Sequence, residues 1–106
     1  MADKVRELTA ETFDAQTGSG LVLIDFWAPW CGPCKLQAPI IEQVADTLGD
    51  KALVAKVNVD EAPELAARFG VRSIPTLVIL KNGTSVEQLV GLRQADDLVS
   101  VLETHG

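Results

Sequence analysis

The sequence predicts an α/β fold, a mixed sheet with helices on both faces, and three observations carry that expectation. Strand-like and helix-like segments alternate through most of the chain. The run "LVLIDFWA", Leu21 to Ala28, is apolar at nearly every position, as a strand covered on both faces must be. Asn82-Gly83 interrupts a later apolar stretch with a dipeptide that favours a two-residue hairpin turn. Alternation implies parallel crossovers and the hairpin an antiparallel end, so the sheet mixes both senses.

The elements follow in order. "KVREL" alternates as a first strand, and Thr9 is read as the N-cap of a helix carrying Phe13 that stops at "TGSG". The Leu21–Ala28 strand comes next, broken by a single charge, Asp25. In "CKLQAPIIEQVADTLGD" the residues Leu36, Ile40, Ile41, Val44, Ala45 and Leu48 predict an amphipathic helix ending at Gly49 and kinked at Pro39. Ala52–Val59 reads as a strand, and "DEAPELAARFG" as a short helix opening at Pro63 and closing at Gly70. Two strands flank Asn82-Gly83. "ADDLVSVLETHG" closes the chain as a helix that, for want of a good cap at Gln94, is expected to start weakly or as late as Asp96. The order βαβαβαββα gives five strands and four helices in a three-layer α/β/α sandwich.

Composition narrows the function. At 106 residues and 47% hydrophobic, the chain suits one domain. A net charge of -6 argues against general affinity for nucleic acid or anionic membranes. No apolar run approaches a membrane span, and the start, "MADKVRELTAETF", lacks the pattern of a signal peptide, so a cytoplasmic protein is expected.

The chemistry concentrates in "FWAPWCGPCK", Phe26 to Lys35, which holds both cysteines of the chain. The spacing permits a structural disulfide, half of a metal site or a redox pair. A zinc site needs about four ligands, and the remaining classical candidate, His105, is read as a frayed terminal residue. A reducing compartment disfavours a permanent staple. For a redox pair each residue has a use. Cys31 at a helix N-terminus is stabilised as thiolate, and its exposed sulfur would attack a disulfide. Cys34, a turn inward and less accessible, would attack back. Gly32 keeps side chains off the sulfurs, and Pro33 suits the first helical position. Asp25, a carboxylate within an apolar run, should have a raised pKa; it is either functional or a hydrogen-bonded structural group.

"WCGPCK", the preceding "VLIDFWA", the later "KVNVD" and "VRSIPTLVILKNG", and "VG" at 90 to 91 resemble the thioredoxin family, in order and over essentially the whole chain. The resemblance implies the thioredoxin fold, with a central mixed five-stranded sheet and four flanking helices, and a protein disulfide reductase cycling between a dithiol and a Cys31–Cys34 disulfide. Gly32-Pro33 implies the reducing branch rather than an oxidase or isomerase. Asp25 is implied to be the buried acid that deprotonates Cys34, with Lys56 near it. Ile74-Pro75 is implied to be a cis-proline beside the sulfurs, with the Ile74 backbone pairing to substrate. Trp30, Val90 and Gly91 are implied to form the rim where partners dock, and Trp27 an inner tryptophan. The implied partners are disulfide-containing proteins and a flavin- and NADPH-dependent thioredoxin reductase. No cofactor or metal is expected on the chain itself, which is expected to be a monomer. A redox-independent binding subunit using the same rim is the alternative.

Overall fold

The computed structural model describes residues 4–106. Five strands, β1 (Val5–Glu7), β2 (Leu21–Trp27), β3 (Leu53–Asn58), β4 (Thr76–Lys81) and β5 (Thr84–Val90), form one sheet in the order β1-β3-β2-β4-β5. β1 and β2 run parallel to β3, while β4 is antiparallel to β2 and β5 to β4. The most apolar strand, β2, therefore lies at the centre, hydrogen-bonded on both edges and covered on both faces.

Four helices complete the layers: α1 (Phe13–Thr17), α2 (Gly32–Leu48), α3 (Pro63–Arg68) and α4 (Ala95–His105). The two-residue period of β2 divides its side chains between them. Leu23 faces Ile41, Val44 and Leu48 of α2 and Leu98 and Leu102 of α4. Val22, Ile24 and Phe26 face Phe13 of α1 and Leu65 of α3. Phe69, just past α3, stacks at a tilt on Phe13 and Phe26, with ring centroids 5.5 and 5.9 Å away.

The hairpin forms as its dipeptide predicts, with φ of 51° at Asn82 and 84° at Gly83, both in the left-handed region of a tight primed turn. Asn82 also binds a distant turn, its Oδ1 accepting from the Gly20 amide at 2.9 Å. α2 ends at Gly49, whose φ of 54° suits glycine, and continues through Pro39.

Four local expectations need correction. Thr9 does not cap α1; Thr9 and Thr12 exchange side-chain and backbone hydrogen bonds in a turn, and the helix starts after Thr12. Leu36 is 62% exposed, whereas Gln37 is wholly buried. α4 begins at Ala95 although Gln94 makes no side-chain cap, because Leu98 and Leu102 anchor it. His105 is its last helical residue and is tied down: its Nε2 lies 3.0 Å from Glu87 Oε1, and its carbonyl accepts from Lys81 Nζ at 2.7 Å.

Candidate active site

β2 ends at Trp27 and α2 begins at Gly32, so the intervening residues sit at the carboxyl edge of the central strand, where folds of this class place their chemistry. Cys31 is the N-cap of α2. Its backbone is extended, and its sulfur takes the place of the usual capping oxygen, accepting from the Cys34 amide at 3.2 Å. Cys31 and Cys34 are joined as a disulfide with Cα atoms 5.3 Å apart. Gly32 and Pro33 open the helix, so proline takes the second helical position rather than the first. A Cβ at Gly32 would meet nothing within 4 Å, and its φ is not positive, so neither steric room nor the turn requires glycine there.

The expected difference in accessibility is absent. In the disulfide form Cys31 and Cys34 are 4% and 3% exposed, packed among Ala28, Trp27, Val59 and Ile74. What separates the sulfurs is their neighbours. Cys31 Sγ lies 3.7 Å from the Ile74 carbonyl oxygen, just before the cis Ile74–Pro75 bond. Cys34 instead lines a cleft of about 190 Å³ reaching down to Asp25 and Trp27, with Ala38 and Ile41 on its helical wall and Lys35, Glu42 and Lys56 among its charged residues.

Asp25 lies beneath that cleft because β2 turns residues 21, 23 and 25 toward α2. It is 3% exposed, and its Oδ1 has no hydrogen-bond partner among the described residues. Burial pushes its carboxyl up from 3.8 to about 7, the positive Lys56 opposing and the negative Glu7 reinforcing the rise. Sheet register explains the grouping, since Glu7 of β1 pairs with Lys56 of β3, and Lys56 with Asp25 of β2, in one row on one face. Lys56 is thus beside Asp25 in the sheet, but its ammonium pairs with Glu7 Oε1 at 3.8 Å and lies 5.4 Å over the Trp27 ring.

Around the disulfide, Trp30 is 68% and Val90 56% exposed. The Trp30 indole donates to both Asp60 oxygens, at 3.0 and 3.3 Å, which fixes a large apolar surface beside the cysteines. Gly91 reaches the site through its backbone, donating to the Pro75 carbonyl at 2.9 Å, with a φ of 93° that favours glycine.

The site thus joins an N-capping disulfide, a buried carboxyl of raised pKa below it and a cis-proline beside it. The profile described as Thioredoxin matches residues 4–104. The chain belongs to the thioredoxin family. It is 47% identical to a thioredoxin of Bacillus subtilis over 97 residues, covering 92% of this chain and 93% of that one. A Listeria monocytogenes thioredoxin is 46% identical over 101 residues, or 95% and 98% of the two chains. Among solved structures, a Malassezia sympodialis thioredoxin superposes with a TM-score of 0.86 at 38% identity, covering 98% of this chain and 92% of that one. A Halobacterium salinarum thioredoxin variant gives 0.86 at 39%, with 96% and 90% covered. The fold is the thioredoxin fold, and the chain is a disulfide oxidoreductase whose function is dithiol–disulfide exchange.

Three residues of this thioredoxin site escaped sequence reasoning. Gln37 had a signal: Cys34, Gln37, Ile41, Val44 and Leu48 trace one helical stripe, and apolar Leu36 falls off it by one position. Glu7 and Asp60 had none, because strand register and an indole contact across the fold bring them in.

Proposed function

We propose that Cys31 attacks and Cys34 resolves, with Asp25 taking the proton of Cys34. The Cys31 thiolate attacks one sulfur of a substrate disulfide, forming a mixed disulfide and expelling the other substrate sulfur as thiolate. Cys34 passes its proton to Asp25 by way of the cleft, where about 190 Å³ has room for water, and attacks the Cys31 sulfur. The second substrate sulfur leaves, the substrate has gained two electrons, and the pair is oxidised to the Cys31–Cys34 disulfide. The observation that carries this assignment is the Cys31 sulfur at the α2 N-cap, held against the Cys34 amide, where partial positive charge favours a thiolate.

Pro33, next to Gly32, stiffens the first turn of α2, and Lys56 tunes Asp25. Trp30, Ile74, Pro75, Val90 and Gly91 hold an extended substrate segment against the sulfurs, its backbone pairing at Ile74 as an added strand would. A flavin- and NADPH-dependent thioredoxin reductase returns the pair to dithiol, and the cytoplasm is the compartment where such a reductase works. No helix among the described residues is long and apolar enough to cross a membrane.

With dithiothreitol as reductant, insulin reduction should be fast for the native chain and absent for Cys31→Ser. Cys34→Ser should accumulate a mixed disulfide at Cys31, visible as added mass. Accumulation at residue 34 in a Cys31→Ser chain with no Cys31 adduct in the other would reverse the roles. Partner binding that survives in the double serine variant would favour the redox-independent subunit.

A further inference from the structure

Gln37 sits one turn past Cys34 with its side chain wholly buried. Its amide closes two hydrogen bonds on one backbone unit: Nε2 donates to the Arg93 carbonyl at 2.9 Å, and Oε1 accepts from the Arg93 amide at 2.8 Å. Arg93 lies in the connection between β5 and α4, which leaves the sheet at Val90. The same connection is pinned at its other end by the Gly91 amide on the Pro75 carbonyl and by the Arg93 guanidinium on the Val90 carbonyl at 3.3 Å.

These links form a circuit. From Cys34 the path runs down α2 to Gln37, across to Arg93, back through Gly91 to Pro75, and from Ile74 to the Cys31 sulfur. An apolar side chain would fill the buried stripe of α2 without needing partners. A buried amide costs free energy unless every polar atom is bonded, and this one spends its bonds on the segment bearing Val90 and Gly91.

We propose that Gln37 is a positioning residue that fixes Val90 and Gly91 relative to the disulfide, and so governs how well a protein disulfide is held while leaving the sulfur chemistry alone. The inference rests on the reading of Val90 and Gly91 as substrate-holding. It makes Gln37 a determinant of selectivity between protein and small-molecule disulfides, acting through Arg93 and without touching substrate.

The test compares second-order rate constants of the reduced chain toward insulin and toward a small aromatic disulfide, for the native chain, Gln37→Leu and Val90→Ser. Gln37→Leu should react about five- to tenfold more slowly with insulin, the fold-change expected from one net hydrogen bond, and within about twofold of native with the small disulfide. Faster hydrogen exchange at the Arg93 amide should accompany the loss. Equal losses on both disulfides, or no loss on insulin, would overturn the proposal. If Val90→Ser slows insulin and Gln37→Leu does not, the inference about Gln37 fails alone. If neither slows it, the substrate-holding reading fails too. Should Gln37→Leu not fold, Gln37→Met removes the same two bonds from an unbranched side chain and is judged by the same outcomes.

Discussion

The two faces of this sheet bury different things. Under α1 and α3 the layer is Phe13, Val22, Ile24, Phe26, Val57, Val78 and Leu80, and its buried hydroxyls are satisfied locally, Thr17 on the Phe13 carbonyl and Thr76 on the Ser73 carbonyl. Under α2 and α4 the layer is equally apolar at Leu23, Leu77 and Ile79, yet it also holds the carboxyl of Asp25 and the amide of Gln37. One strand supplies both layers by alternating its side chains, so neighbouring residues Asp25 and Phe26 answer to opposite demands. One face buries only apolar groups and locally bonded hydroxyls, and the other also buries a carboxyl that desolvation penalises in its charged form.

The largest effect that would sharpen this contrast is on the apolar face. Phe13→Ala should lower unfolding free energy by about 3–5 kcal/mol in denaturant titrations. The exchange rate per folded molecule should not change, since Phe13 lies in the layer opposite Asp25. A rate that fell with stability would mean the faces are not separate.

The next effect has the opposite sign. Asp25 is raised to about 7 in the folded chain, so the native state holds a proton that the unfolded chain releases near 3.8. Native stability should therefore fall as pH rises from about 4 to 7, and the penalty is fully present above 7. Asp25→Asn, which carries no charge, should be the more stable chain by up to about 4 kcal/mol at pH 8, the gain vanishing below pH 4. Equal stability at pH 8 would show the carboxylate is not penalised by burial.

The smallest effect concerns the strand row. Glu7→Gln frees the Lys56 ammonium and removes a negative charge near Asp25, and both changes favour the carboxylate. The Asp25 midpoint, followed by NMR across pH, should move down by less than about one unit, and less in high salt. An upward shift would place Lys56 under other control.

How much of this was legible depended on whether a residue's environment is local. β2, the Asn82-Gly83 turn and the α2 start are marked by an apolar run, a dipeptide and the Gly-Pro pair after Cys31, all visible in a few residues. Asp25 stood out because a charge inside an apolar strand has no cheap explanation. Gln37 was hidden by reading hydrophobicity instead of phase, which placed Leu36 on the buried stripe. The near-equal burial of Cys31 and Cys34 could not be read, because Ile74 and Val59 arrive from distant parts of the chain to pack against the cysteine pair. His105 looked frayed only because Glu87 and Lys81 are remote in sequence.

The central claim is that Asp25 takes the proton that lets Cys34 resolve. Its most direct test is the rate at which a preformed Cys31 mixed disulfide is resolved, followed from pH 5 to 9 in the native and Asp25→Asn chains. The native rate should climb as Asp25 ionises through about 7, with Asp25→Asn at least about a hundredfold slower at neutral pH, the low end of general-base contributions. Superimposable profiles would contradict the account.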